Sequence, residues 1–208
     1  MATWFSGFDV WGFSWWICGM EEDLGKDEKA KLWIADFEAE PVPRVVNPAD
    51  FDRLCETAVR GGADGRPFEN AGQFVDYIKL MAYSGAREQE TLELKWTDVD
   101  WERRQLIVGS DRAKKNLKPR RVDFNAKMEA HLKDMQSRKA ADAVWLFPSP
   151  HGSKMRVDDF DGTMRRVREA AGFPQFEYVD LAHYFKNYCL TLGIPTMTIV
   201  GWMLDRYD

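Results

Sequence analysis

The chain has 208 residues, of which 45% are hydrophobic, enough for the core of one domain and an additional segment but too few for two full domains. Its net charge of −5 is unevenly distributed, because residues 1–60 contain 12 acidic and 6 basic side chains and residues 61–208 carry a net charge of +1. A nucleic-acid partner therefore stays open despite the acidic total. The cysteines Cys18, Cys55 and Cys189 are far apart and lack a CxxC spacing, so the sequence supports neither a disulfide framework nor a zinc site. We expect a globular, cytoplasmic protein without a metal or other cofactor.

The segment at residues 1–46 is aromatic at its start, acidic in its middle and marked by prolines near its end. Its apolar opening lacks a basic region, contains Asp9 and is interrupted by glycines, so it predicts neither a signal peptide nor a membrane span. Four aromatic residues recur at helical spacing and would share one helix face: Trp4, Phe8, Trp11 and Trp15. That face either packs against the rest of the chain or docks a partner, such as a second copy of the protein.

Residues 47–208 read as one domain that opens with helices. Asn47 and Pro48 are a favourable helix start, since Asn caps backbone N–H groups and Pro suits the first helical position. A second helix is predicted over about 69–83, with its apolar side chains on one side. The pair at residues 84–85, Ser-Gly, then ends this helix, and a short helix is predicted over 87–94.

The pattern then changes to short strands and returns to helices. Strands are predicted at 96–101, 105–108 and 120–124, which would form a small antiparallel sheet. Asn125 is a cap for the next helix, and residues 148–152 read as a turn. Three further helices are predicted, over about 157–171, 180–192 and 196–204. The expected fold class is therefore mainly α with a small antiparallel β-sheet.

Two dense basic runs stand out in this domain. Such runs either bind phosphates or form ordinary solvated faces, and charge alone does not decide between them. The first run contains Arg112, Lys114, Lys115, Lys118, Arg120 and Arg121. The second run contains Lys154, Arg156, Arg165, Arg166 and Arg168.

The stretch from Tyr83 to Asp100 resembles the region around the first catalytic arginine of the tyrosine recombinases, the phage integrase family. It has a small-residue break, an Arg-x-x-Glu helix, and then Leu-x-Trp-x-Asp before a hairpin. The family's next features follow in order: a basic hairpin, the sequence Val-Trp-Leu-Phe-Pro-Ser at 144–149, a basic helix, and Asp-Leu-x-His-x-Phe at 180–185. The resemblance covers residues 47–208, and implies the fold of the family's catalytic domain.

The resemblance also implies a chemistry. In this family a tyrosine hydroxyl attacks a DNA phosphodiester and forms a covalent phosphotyrosyl intermediate without a metal. Cationic side chains must then stabilise the charge on the phosphoryl oxygens, and the guanidinium fork of arginine matches two of them. A lysine acts as an acid towards the leaving sugar oxygen, and histidines assist proton transfer.

Carried over to this sequence, Arg87 matches the first arginine, and Glu90 matches the acidic residue that orients it. Without the resemblance, these two residues would be an ordinary pair one helical turn apart. Lys115 falls at the catalytic lysine, and Lys114 is the alternative. For both lysines, the competing interpretation is a flexible basic turn.

The sequence departs from the family where its second histidine and arginine motif should be. Val179 replaces the first histidine and Ala182 replaces the second arginine, while His183 is retained. A shifted register would use His183 and Lys186, but it spoils the match over 193–202. The family's nucleophilic tyrosine is expected beyond the last residue of this chain, so the domain reads as C-terminally incomplete, and Tyr207 is the nearby candidate.

The sequence therefore indicates a DNA-binding, tyrosine-recombinase-like protein of DNA integration and site-specific recombination with impaired catalysis. One alternative is an active recombinase that uses His183, Lys186 and Tyr207 in addition to Arg87 and Lys115. Another is an α-helical interaction scaffold that does not bind DNA. The expected partners are DNA and either a second copy or a partner recombinase. The expected DNA contacts are Arg112, Lys114, Lys118, Arg120, Arg121, Lys154 and Arg165.

Overall fold

A capped helix begins the part of the chain that the computed structural model describes, which comprises residues 47–62, 65–68, 70–110, 119–149 and 152–203. Helix α1 (Pro48–Arg60) starts as the sequence predicts, because the Asn47 side chain accepts the backbone N–H of Asp50 at 2.8 Å. Its apolar face is buried and consists of Phe51, Leu54, Cys55 and Ala58.

Helix α2 (Ala71–Ser84) is the central helix of the described residues and is buried along most of its length. Tyr77 packs its ring against Phe147, Phe160 and Tyr178, with ring centroids 4.9 to 5.8 Å apart. These aromatic contacts join three separate parts of the chain to α2. The hydrophobic burial that results is the main source of stability for such a helical domain.

The antiparallel sheet consists of β1 (Val99–Asp100), β2 (Gln105–Val108) and β3 (Arg120–Asp123), in that order. Strand β3 pairs with β2 so that Val108 faces Arg120 and Leu106 faces Val122. Side chains alternate along β3, so Arg120 and Val122 are buried while Arg121 and Asp123 are exposed.

The remaining elements follow in chain order. They are α3 (Glu88–Leu92), a 3₁₀ turn (Trp96–Asp98), α4 (Ala126–Arg138), the β4–β5 pair (Pro148–Ser149 and Gly152–Arg156), α5 (Asp161–Ala170), α6 (Tyr178–Thr191) and α7 (Thr196–Met203). Asn125 caps α4, as predicted, by accepting the Met128 N–H at 2.9 Å. It also donates to the Tyr83 carbonyl at 2.7 Å, and so connects α4 with the end of α2.

The expected fold class, mainly α with a small antiparallel sheet, is confirmed. Two local predictions differ from the structure. Residues 96–98 form a 3₁₀ turn instead of a strand, because Asp98 accepts the Lys95 N–H at 2.8 Å and closes the turn. Residues 148–149 and 152–156 form paired strands, where the sequence predicted only a turn over 148–152.

The predictions for residues 1–46 concern residues outside the described part of the chain. The described residues lie within one unit, residues 42–208, and the boundary near residue 47 stays a prediction. Among the described helices, none has the length and apolar character needed to cross a membrane.

Candidate functional site

The turn that follows α2 packs closely against α6. Gly85 ends the helix with a left-handed φ of +66°, and its N–H donates to the Met81 carbonyl at 2.9 Å. A Cβ atom at Gly85 would lie 2.4 Å from Cδ1 of Phe185 in α6, a distance no side chain tolerates. Glycine is therefore required here, both for the backbone conformation and for close contact with α6.

This turn delivers Arg87 to the start of α3. The N–H of Arg87 donates to Oε2 of Glu90 at 2.9 Å, so the Glu90 side chain caps the helix. The Arg87 side chain is 44% exposed, and its Nη1 lies 3.8 Å from Oε1 of Glu90. Arg87 is thus anchored by its backbone and presents its guanidinium at the surface.

Glu90 has a much closer cationic partner in Arg120 of β3. Arg120 donates Nη1 to Oε1 of Glu90 at 2.9 Å and Nη2 to Oε2 at 2.6 Å, and its Nε donates to the Trp202 carbonyl at 2.9 Å. Burial alone would raise the pKa of Glu90. The hydrogen bonds and charge of Arg120, together with those of Arg87, outweigh burial and lower the pKa below its ordinary value of 4.5.

This arrangement differs from the expected role of Arg120. The sequence predicted that Arg120 contacts DNA, but its side chain is only 4% exposed and lies in the ion pair with Glu90. A guanidinium buried in this way is not presented to a phosphate. The neighbouring Arg121 is exposed, because the alternation along β3 turns it to the opposite face.

Helix α6 holds the positions that match the family's second motif, and it packs beside the Gly85 turn. Val179, in its first turn, is 47% exposed, and Ala182 and His183 are half-buried. Lys186 is only 9% exposed. At the positions of the expected histidine and second arginine, the described helix therefore presents two apolar groups.

Glu88, which follows Arg87 in the chain, forms an acidic group with Asp159 and Asp161. This group was not recognised in the sequence. Burial, followed by the charges of Asp161 and Asp159, raises the pKa of Glu88. Burial likewise raises the pKa of Tyr178 in α6, and the same carboxylates add to the effect. The signal was present in the acidic residues at the start of α5, but their proximity to Glu88 depends on the tertiary fold.

The second basic run lies partly on α5. Arg165 is exposed on this helix, whereas Arg168 donates to the Phe176 carbonyl at 2.9 Å and pairs with Glu177. The backbone of Lys154 lies in β5, but its side chain falls outside the described residues. The remaining predicted site residues also lie outside the described residues: Arg112, Lys114, Lys115, Lys118 and Tyr207.

One group of potential metal ligands occurs among the described residues: Asp76, His131 and Asp134. Arg138 already pairs with both carboxylates, at 3.0 Å from Asp76 and 2.7 Å from Asp134. His131 Nε2 lies 3.0 Å from the Asp76 carbonyl oxygen, which can only accept, so this nitrogen carries the proton. The arrangement is consistent with an internal ion-pair network between α2 and α4.

Comparison with known proteins identifies the family and the fold. Residues 62–202 match the model of the phage integrase family. The structure is similar to that of XerA recombinase, with a TM-score of 0.57, 20% sequence identity and coverage of 85% of this chain and 63% of the other. It is also similar to a Tn1549 transposon integrase solved with circular intermediate DNA, with a TM-score of 0.58, 15% identity and coverage of 87% and 61%.

A third similar structure is XerH site-specific recombinase bound to its difH substrate, with a TM-score of 0.55, 17% identity and coverage of 77% of this chain and 46% of the other. This chain thus spans less than two thirds of each of these three structures. No curated protein sequence matches it. The fold is that of a tyrosine recombinase catalytic domain. With two thirds of its length matched by the family model, the chain belongs to the phage integrase family.

Proposed function

We propose that this chain binds DNA through the phosphate backbone, as a cytoplasmic protein of the site-specific recombination class, and that it does not cleave and rejoin strands by itself. The observation that carries the proposal is the presentation of Arg87. Its backbone is anchored by Glu90, while its guanidinium is 44% exposed beside a turn that packs closely against α6. A guanidinium held in this way suits two-point binding of a phosphate.

Further cations support an electrostatic mode of binding. Arg121 and Arg165 are exposed, and we propose that they contact phosphates together with Arg112, Lys114, Lys118 and Lys154 of the basic runs. Contacts of this kind release counterions and are independent of base sequence. The acidic group around Glu88 opposes them locally, so we expect weak binding.

The proposed lack of cleavage depends on the groups that α6 presents. Val179 cannot transfer a proton, and Ala182 cannot offer a cation to the phosphoryl oxygens. Each missing donor of this kind costs about 3 kcal/mol in the transition state, or roughly a hundredfold in rate. Arg87 and Lys115 would then face the developing charge with too few partners.

The main alternative is an active recombinase in which His183, Lys186 and Tyr207 replace the missing groups. The low exposure of Lys186 disfavours it, because a buried ammonium is not presented to DNA. A suicide substrate, nicked next to the scissile phosphate, separates the two functions. We expect no covalent adduct, and an adduct that is lost in Tyr207→Phe would favour the active enzyme.

A second alternative is a scaffold that binds another protein or a second copy of itself. It is favoured by three exposed apolar side chains near the junction of α6 and α7, namely Leu190, Leu192 and Met197. Sedimentation of the chain at increasing concentration tests self-association, and binding to a labelled duplex at low salt tests the DNA function. Absence of binding at low salt would leave the scaffold as the better account.

A further inference from the structure

A buried ion pair connects three elements that are distant in sequence. Arg120 in β3 donates hydrogen bonds to both carboxylate oxygens of Glu90 in α3, at 2.9 and 2.6 Å, and to the Trp202 carbonyl in α7 at 2.9 Å. Both charged side chains are nearly inaccessible to water. A two-point arginine–carboxylate pair adds geometric specificity to the attraction between the charges.

The same carboxylate also positions Arg87. Oε2 of Glu90 accepts the Arg87 backbone N–H at 2.9 Å, whereas the Arg87 guanidinium stays at 3.8 Å from Oε1. Glu90 therefore holds the Arg87 backbone while its charge is taken mainly by Arg120. Arg87 is the other cation that acts on this buried carboxylate, with its Nη1 3.8 Å from Oε1 of Glu90.

We propose that Arg120 is a positioning residue for Arg87. It fixes the Glu90 side chain as the cap of α3 and neutralises its charge, which keeps the Arg87 guanidinium directed towards an incoming phosphate. Through the Trp202 carbonyl it also ties the end of α7 to the same unit. The inference rests on the proposed function, because it takes a DNA phosphate as the ligand of Arg87.

The connection to α7 has a simple physical basis. The last four carbonyl groups of a helix lack partners within the helix, and a cation near this end also interacts favourably with the helix dipole. Trp202 lies in the last turn of α7, so the Arg120 Nε satisfies one such carbonyl. The ring of Trp202 lies 6.2 Å from that of Phe185, the residue that contacts Gly85. The turn at residues 85–87 and α7 are therefore packed against the same part of α6.

The test compares three variants of the full chain in binding to a duplex at several salt concentrations. In Arg120→Met, Glu90 loses its two-point partner and should draw in the Arg87 guanidinium, so the magnitude of the slope of log affinity against log salt should fall by about one. In the double variant Glu90→Gln with Arg120→Met both charges of the pair are removed, and the slope should return to that of the wild type. Arg120→Lys keeps the charge and should also retain the wild-type slope.

If Arg120 only stabilises the fold, the double variant should bind with a reduced slope, because it has lost the ion pair entirely. If the double variant and Arg120→Lys both bind with a slope reduced by one or more, the proposal is overturned. These two variants decide the matter even where Arg120→Met does not fold.

Hydrogen exchange tests the connection to α7 without DNA, and so is independent of the proposed function. A lysine cannot provide the guanidinium fork and the Nε donor together, so the α7 amides of Arg120→Lys should exchange at least several-fold faster than in the wild type. The matched control is Lys133→Arg on the exposed face of α4, which should leave α7 unchanged. Unchanged exchange in Arg120→Lys would refute the connection.

Discussion

Replacing Gly85 with alanine tests how closely the turn at residues 85–87 packs against α6. The left-handed φ of +66° costs an alanine about 1–2 kcal/mol, partly offset by about 0.4–1 kcal/mol from the loss of freedom in the unfolded chain. In addition, the new Cβ would meet the fully buried Phe185 ring at 2.4 Å, and overpacking of this kind costs about 1–3 kcal/mol. The expected loss in the free energy of unfolding is about 2–4 kcal/mol.

The chain offers a matched control at Gly193. It has a similar φ of +72°, but a Cβ there would meet no atom within 4 Å. Gly193→Ala should therefore cost about 1 kcal/mol, which is the conformational contribution alone. Urea denaturation of both variants, followed by circular dichroism, measures the difference.

A double-mutant cycle isolates the contact itself. Phe185→Leu removes part of the ring that the Gly85→Ala methyl group would meet, so the combined loss should be smaller than the sum of the two single losses by about 1 kcal/mol or more. Equal losses for the two glycine variants, or additive losses in the cycle, would contradict the close packing of the turn against α6.

Three further outcomes are expected. Asn47→Ala should cost about 1 kcal/mol through loss of a helix cap, and Asn125→Ala should cost more because Asn125 also binds a backbone carbonyl at the end of α2; denaturation of both measures the difference. Because the pKa of Glu90 is lowered in the folded state, its stabilisation is present above about pH 4.5 and is lost as the pH falls below it, so Glu90→Gln should flatten the acid limb of a stability profile. Arg165→Ala should weaken DNA binding more than Lys133→Ala, whose side chain pairs with its own helix, and equal effects in a binding titration would count against a contact by α5.

The sequence was most informative where structure is determined locally. The caps at Asn47 and Asn125 and the helix end at Gly85 each depend on residues within one turn, and their positions agree with the predictions. The exposed position of Arg87 could not be derived from the sequence, because it depends on which cation pairs with Glu90.

Arg120 shows where prediction from the sequence fails. It belongs to a basic run and was therefore predicted to contact DNA, but its partner Glu90 is 30 residues away in the chain. A local signal was available, since Val122 must face the core and Arg120 lies two residues earlier on the same strand face. A buried arginine at such a position requires an acidic partner, and sequence spacing alone does not identify it.

The acidic group beside the site was missed for a related reason. Glu88 is close in sequence to Arg87, but Asp159 and Asp161 reach it only through the packing of α5 against the rest of the domain. Each of these side chains, considered alone, resembles an ordinary surface residue. Their mutual effect on the pKa of Glu88 follows only from the folded arrangement.

The most direct test of the central claim is the salt dependence of DNA binding by the wild type and by Arg87→Ala. If Arg87 is presented to a phosphate, the wild-type affinity should fall steeply with salt and the variant should have a slope smaller by about one. The circular dichroism of the variant should stay unchanged, because the Arg87 backbone retains its contact with Glu90. Wild-type binding that is absent at low salt or indifferent to salt, or a variant with the wild-type slope, would contradict the account.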